Sequence, residues 1–199
     1  MRFQDIPHYI DTPIFSLRDL TREGGRINQS QLSQWVKKGQ LIKLRNGLYA
    51  LHTSRGKITG QEIAARLYEP SYLSLETALS HYGFIPEIVH GYTSVTTRTT
   101  RTFRNSCGHF LYRHVKNSLF WGYVEISTET GCYLMAEPEK ALLDYLYLNI
   151  RRIRSKDDIE ELRLNEQEMG DVINAEKFLR YLKGFGSKSL ERLAPQCLP

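Results

Sequence analysis

The sequence predicts an α+β protein in two parts: a small unit over residues 1–52 that pairs helices with a hairpin, and a mixed domain over residues 58–199 with an antiparallel sheet flanked by helices. Three observations carry this. The first fifty residues read in order as a short helix, a Gly-containing turn, a helix with a polar outer face and a tight basic hairpin. Residues 92–135 are rich in Thr, Val, Tyr and Phe with Gly punctuation, which is strand composition. The run Ala141, Leu142, Leu143, Tyr145, Leu146 and Leu148 is apolar nearly all round, as in a helix packed inside a core.

In the first part, Ser16 stands before Leu17, Asp19 and Leu20 as an N-cap before a short apolar face, and Gly24 with Gly25 stops that helix after about two turns. Asn28 caps a second helix through residue 38, and Gly39 closes it where a left-handed residue is cheapest. At about 100° per residue, Leu32, Trp35 and Val36 share one face of this helix, while Ser30, Gln34 and Lys37 lie opposite, flanked by Gln31, Ser33 and Lys38. A polar outer face alone is what any solvated helix has. The next segment adds specificity. Leu41, Ile42 and Leu44 run up to Arg45, Asn46 and Gly47, and Leu48, Tyr49 and Leu51 run back; Asn-Gly between two apolar runs is a strong hairpin signal.

A helix, a turn, a second helix and a basic hairpin make a winged helix-turn-helix, an architecture that binds DNA or serves protein contacts. In the DNA reading the helix over 28–38 enters the major groove. Asn28, Ser30, Gln31, Ser33 and Gln34 offer hydrogen-bonding groups to base edges, and Lys37 and Lys38 suit phosphates. Lys43, Arg45 and Asn46 lie near the hairpin tip, over the backbone or in the minor groove. Charge agrees. Residues 1–60 hold ten Lys and Arg against four Asp and Glu, while residues 61–199 hold 17 against 18, so the formal net charge of +5 is concentrated where phosphates would be met.

A chain of 199 residues has room for one small and one medium domain. No apolar run approaches the roughly 20 residues that span a bilayer, and the N-terminus has no signal-peptide core, so no membrane partner and a cytoplasmic location are expected. Cys107, Cys132 and Cys197 are odd in number and far apart, which suggests neither a disulfide framework nor a zinc knuckle.

Residues 52–57, with Ser54, Arg55 and Gly56, read as a linker. Thr59 then caps a helix bearing Ile63, Ala64 and Leu67 that ends by Pro70, and Ser74 caps another bearing Leu75, Ala78, Leu79 and Tyr82 that ends at Gly83. Strands are predicted over 92–97, 101–105, 109–115, 120–127 and 131–136. Pro138 sits in the first turn of the apolar helix. Beyond it the chain is a charged helical tail, with amphipathic helices over 162–169 and 175–185.

Enzymatic readings find little to stand on. His109 and His114 are five apart in a strand, on opposite faces, and cannot share a metal. Glu137, Glu139 and Lys140 resemble a nuclease carboxylate–lysine set, but acids at a helix start are favoured by the dipole, and only Glu125 and Glu129 are available as other strand carboxylates. No catalytic residue, metal site or cofactor is assigned. A second basic surface is a further expectation: Arg98, Arg101, Arg104, Arg113 and Lys116 are interleaved with Phe103, Phe110 and Tyr112 without an acid, the aromatics packing the core beneath arginines on the rim.

Four strings have a familiar order. RNGLY at 45–49, PSYLSLETALSHYGFIPE at 70–87, YRHV at 112–115 and AEPEKALLDYLY at 136–147 together resemble the AbiEi-type antitoxins of type IV toxin-antitoxin and abortive-infection systems, over roughly residues 10–150. The resemblance implies an N-terminal winged helix that represses its own operon at inverted repeats in the operator DNA. It also implies a C-terminal antitoxin or effector domain and a nucleotidyltransferase-type toxin as functional partner, which such antitoxins counter without necessarily forming a stable complex. A single helix-turn-helix buries modest DNA surface, so a homodimer or paired binding is expected. Two other readings fit the same sequence: a stand-alone winged-helix transcription regulator, and a DNA-targeted enzyme that modifies nucleic acid.

Overall fold

A computed structural model describes residues 1–22, 24, 26–86, 91–153 and 155–198. Gly25 of the predicted helix stop and Glu87, the last residue of the second string, lie outside the described residues. After a 3-10 turn over Phe3–His8 come strand β1 (Ile14–Ser16), helix α1 (Leu17–Arg22), helix α2 (Gln29–Lys37) and the hairpin of β2 (Leu41–Arg45) and β3 (Leu48–Leu51). Ser16 caps α1 reciprocally: the Asp19 N–H donates to its hydroxyl at 3.3 Å, and its own N–H donates to Asp19 Oδ2 at 2.7 Å. Gly39 closes α2 at φ +69° and Gly47 turns the hairpin at φ +78°, conformations that penalise any residue with a Cβ.

Strand β1, which the pattern does not signal in only three residues, joins the hairpin in a sheet of order β1-β3-β2. The two faces of this sheet pack into different cores. Phe15, Leu41, Tyr49 and Leu51 join Ile6, Leu20, Leu32 and Trp35, whereas Ile14, Ile42, Leu44, Leu48 and Ala50 join Ile63, Ala64, Leu67 and the large core of the rest of the chain. All four residues of β3 are buried in consequence. The small sheet belongs to both parts. Residues 52–54 of the predicted linker form a 3-10 turn that follows directly from β3.

Helix α3 (Gly60–Leu67) is capped by Thr59, as predicted, in a reciprocal box with Glu62. The second predicted cap is not made. Residues 71–73 form a short strand, β4 (Ser71–Leu73), and the next helix, α4 (Glu76–His81), starts from Leu75 at φ +57°. The Ser74 hydroxyl is diverted to Asp144 Oδ2 at 3.0 Å, so a tertiary partner outcompetes the local cap. The remaining strands are β5 (Tyr92–Thr96), β6 (Arg101–Asn105), β7 (Gly108–His114), β8 (Tyr123–Ser127) and β9 (Cys132–Ala136), close to the predicted spans except that residues 120–122, expected in the fourth of them, lie outside β8 after a 3-10 turn over Asn117–Leu119.

The sheet is mixed, not antiparallel as expected. Its order is β6-β7-β5-β4-β9-β8, with β5 and β7 parallel and β4 and β9 parallel. Alternating composition reports that a segment is a strand; the direction of its neighbour is set by how the connections return, which composition does not carry. Helix α3 covers the face bearing Tyr112, whose hydroxyl donates to the Ala64 carbonyl at 2.6 Å. Helix α5 (Pro138–Asn149) covers the other face, where Arg113 donates to the Leu148 carbonyl and Tyr72 to Asp144.

Beneath α5 lies a fully buried ion pair. Lys140 and Asp144, one turn apart, are both inaccessible and in contact through Nζ and Oδ1. Tyr72 and Ser74 donate to Asp144 Oδ2 at 2.9 and 3.0 Å, and Lys140 donates to the Tyr72 hydroxyl at 2.8 Å. The ammonium lies 5.0 Å from the Trp121 ring centroid and 4.9 Å from that of Phe185, a cation–π setting. Burial pushes the Asp144 carboxyl up and the Lys140 ammonium down, each opposed by its partner's charge.

The charged tail is not an appendage. The chain continues through helices α6 (Lys156–Glu160), α7 (Glu166–Val172), α8 (Ala175–Phe185) and α9 (Lys188–Leu193); α8 and α9 pack on α5, and the last three helices bury Met169, Phe178, Leu182, Phe185, Leu190 and Leu193 in the large core. The helix expected over 175–185 forms as predicted; the one expected over 162–169 is displaced to α7, because Asn165 caps the Glu168 N–H and resets the start. No helix among the described residues is long and apolar enough to cross a membrane.

Two outcomes follow from these buried charges. Asp144→Ala leaves the Lys140 ammonium uncompensated and should cost about 3–5 kcal/mol in urea unfolding, while the double change Lys140→Met with Asp144→Leu should recover most of that loss. Glu62, 3% exposed, is pushed up by burial, but hydrogen bonds from Thr128, Thr130 and Thr59 outweigh this and hold its carboxyl below the ordinary 4.5. Its stabilisation is therefore complete above that ordinary value and lost as pH falls through the lower folded one. Unfolding titrations of Glu62→Gln should show a flatter acid limb than the parent protein.

Candidate nucleic-acid interface

Helix α2 is held by its apolar face and its first turn. Leu32 is inaccessible, and Trp35 packs edge-on against Phe3 with ring centroids 5.7 Å apart. Asn28 Oδ1 accepts from the Gln31 N–H at 2.9 Å and from the Ser30 hydroxyl at 3.1 Å. Gln31 returns a bond by accepting from the Asn28 N–H, and its side-chain amide donates to the Met1 carbonyl at 3.3 Å. The Ser33 hydroxyl donates to the Gln29 carbonyl. Four of the predicted base-edge candidates thus have local partners. Of the predicted residues on α2 and its C-cap, Gln34, Lys37 and Lys38 are exposed and make no side-chain hydrogen bond among the described residues, so the predicted set narrows to these three.

The hairpin is latched rather than projecting. Arg45 Nε donates to the Leu67 carbonyl at the end of α3 at 2.9 Å, and its Nη1 donates to the Asn46 carbonyl at 3.1 Å. From the other side Asn105 donates to the Leu44 carbonyl at 3.1 Å. A predicted phosphate ligand is therefore also the tie between the hairpin and the second part, and Lys43 is the hairpin cation with no described side-chain partner.

This latch brings distant residues together. Between the hairpin and the β6–β7 turn runs an open groove of about 600 Å³, whose lining includes Lys43, Arg45, Asn46, Arg55, Arg104 and Asn105. Its cations come from three separate stretches of chain, and among the described residues no Asp or Glu lines it. Val36, at the end of α2, lines it too, so the groove continues from the helix. Arg55 and His52, assigned from sequence to a linker, are exposed members of the lining. Their closeness in sequence to a basic hairpin was the available signal.

The other basic residues do not join this groove. Arg98 and Arg101 lie over Tyr68, 4.6 and 5.9 Å from its ring centroid, and Arg101 also lies 5.2 Å from that of Phe103. Arg113 is half-buried on the opposite sheet face, against α5. Lys116 is exposed beyond the end of β7. Phe103, Phe110 and Tyr112 share the α3 face, where Phe103 and Tyr112 pack with Tyr68. Register separates what sequence proximity suggested.

The carboxylates weighed for catalysis have partners of their own. Glu137 accepts from Lys177 Nζ at 2.7 Å and from the Tyr181 hydroxyl, bonds that outweigh burial and hold its carboxyl below the ordinary range. Glu139 accepts from the Asn174 N–H at 3.0 Å and lies 3.1 Å from Lys177. Together they dock α8 on the start of α5. His114 Nδ1 lies 2.9 Å from the Arg98 carbonyl, while His109 is exposed at the other end of β7. No cluster of three metal-ligating side chains occurs among the described residues.

No protein-family model matches the chain, and no curated protein does. The site is therefore read from its own chemistry. Two substitutions separate scaffold from surface on α2: Asn28→Ala should lower stability by about 1 kcal/mol through the missing cap, whereas Gln34→Ala should leave the unfolding midpoint unchanged.

Proposed function

We propose that this chain is a DNA-binding autorepressor, with α2 in the major groove and the basic groove beside it on the phosphate backbone. The observation that carries the reading is the convergence of Lys43, Arg45, Arg55 and Arg104 on one groove whose described lining holds no acid, next to the exposed Gln34 and Lys37 of α2 and Lys38 at its C-cap. Gln34 is the side chain suited to a base edge, since an amide can donate and accept together. The lysines and arginines neutralise phosphates, so binding should weaken steeply with salt. In this reading the N-terminal unit is a winged helix-turn-helix whose wing lies back against the second part.

The antitoxin half of the proposal rests on the four strings that resemble AbiEi-type antitoxins. Two of them supply the buried cluster of Tyr72, Ser74, Lys140 and Asp144, and a third supplies the hairpin turn, so the resemblance lies in residues that make the framework. Its partner would be a nucleotidyltransferase-type toxin, countered in a cytoplasmic setting. Co-expression with a neighbouring gene of that type tests this half: growth rescue by the full chain supports it, and no rescue leaves a stand-alone regulator.

Binding to DNA upstream of its own gene, titrated with salt, tests the repressor half. Gln34→Ala should weaken operator binding by ~1–3 kcal/mol and relax sequence preference. Lys37→Ala should instead weaken binding to all sequences and reduce the salt slope by about one. Unchanged affinity in both variants would remove α2 as the docking helix.

A further inference from the structure

The six-stranded sheet ends on two different edges. At one end β6 presents exposed Arg101 and Arg104, and its last residue, Asn105, is already bonded to the hairpin. At the other end β8 reads Tyr-Val-Glu-Ile-Ser, with no Lys, Arg, Pro or register shift to blunt it. Its Val124 is 43% exposed, and among the described residues the other large apolar side chains this exposed, Val172 and Leu179, are on helices. We propose that β8 pairs with the β8 of a second copy of this chain, antiparallel about a two-fold axis at Val124, which joins two sheets into one.

Backbone bonds set which groups of the edge are free. The Glu137 N–H donates to the Gly122 carbonyl and the Thr128 N–H to the Gly131 carbonyl, each at 2.9 Å. In step with these bonds, Val124 and Ile126 pair inward with Met135 and Tyr133 of β9. Bonded and non-bonded pairs alternate along an antiparallel ladder, so the N–H and C=O groups of Tyr123, Glu125 and Ser127 point outward. None of these groups has a hydrogen-bond partner among the described residues. A straight row of such groups is a template for another strand.

The side chains select the occupant and the register. With the axis at Val124, the two valines face each other as a non-hydrogen-bonded pair, where side chains approach closest. Each Tyr123 then lies opposite the Glu125 of the other copy, in a pair that exchanges backbone bonds. Both side chains are on the α5 face, where Tyr123 stacks on Tyr72 at 4.9 Å, so a phenol donor meets a carboxylate across the junction. An axis at Glu125 would set two carboxylates against each other. An axis at Ile126 would set Val124 against Thr128, whose hydroxyl is already held by Glu62 at 2.6 Å. The strand is thus complementary to itself in one register, which favours a second copy over an unrelated strand. Because β8 and β6 close opposite ends of the sheet, this pairing leaves the basic groove beside β6 open.

Sedimentation velocity of the full chain tests this without DNA, so its outcome is separate from the repressor reading. The parent protein should pass from monomer to dimer as its concentration rises. Val124→Lys, which places a charge on the edge at an exposed position, should stay monomeric while keeping the parent circular-dichroism spectrum. Disulfide trapping checks the register in a background carrying Cys107→Ser and Cys132→Ser, which removes the two cysteines that are not buried. There Val124→Cys should cross-link to itself roughly tenfold faster than Glu125→Cys, because the axial pair brings identical Cα atoms to about 4.5 Å, within disulfide range. A parent protein that stays monomeric up to about 1 mM overturns the proposal. So does a dimer that survives Val124→Lys, or cross-linking through Glu125→Cys as fast as through Val124→Cys.

Discussion

The constraint on which the rest depends is that strand β3 is buried on both faces. Residues that alternate along the small sheet, Ile14, Ile42 and Ala50 on one side and Phe15, Leu41 and Tyr49 on the other, belong to two different cores. A helical unit of some fifty residues buries too little apolar surface to be robust alone. By lending one face of its sheet to α3, it takes its stability from the larger core. Helix α2 is then fixed relative to the second part, and the bond from Arg45 to the Leu67 carbonyl with that from Asn105 to the Leu44 carbonyl holds the hairpin tip in the same frame. The basic groove exists because of this fixed relation. A freely linked unit would carry Lys43 and Arg104 in no constant geometry.

The larger core has its own anchor in Lys140 and Asp144. An ion pair with no exposure is seldom a net source of stability over a hydrophobic pair of similar volume, but it is unforgiving of any arrangement that leaves one charge alone. Tyr72 and Ser74, in and just after β4, must meet Asp144 of α5, while Trp121 before β8 and Phe185 of α8 must close over the Lys140 ammonium. One cluster thereby fixes the central strand, the core helix and the tail in register. The tail is fastened a second time where Lys177 meets Glu137 and Glu139.

What sequence made legible was whatever is decided locally. The Asn28 cap, the Gly39 stop, the Trp35 face and the Asn46-Gly47 turn are determined within a few residues, and each is found where the pattern put it. The amphipathic helix expected over residues 175–185 was legible too, and it buries Phe178, Leu182 and Phe185. What was not legible is decided by partners far along the chain. Ser74 forgoes a cap for a carboxylate seventy residues away. Arg45, read as a phosphate ligand, is tied to a carbonyl twenty-two residues on. Strand direction in the mixed sheet follows its connections. For the candidate site, the α2 face was readable as a set, but its reduction to Gln34, Lys37 and Lys38 needed the hydrogen bonds of its neighbours, and the place of Arg55 and Arg104 beside Lys43 needed the whole fold.

The central claim is that both parts present one nucleic-acid surface. Hydroxyl-radical footprinting on DNA upstream of the gene, comparing the full chain with a variant carrying Arg55→Ala and Arg104→Ala, tests it most directly. The account predicts protection of an inverted repeat by the parent protein. In the variant, the sugars on either side of the α2 half-site should become open to cleavage while the positions under α2 itself stay protected. Identical footprints and affinities for the two proteins would contradict it, since the groove would then take no part in holding the DNA.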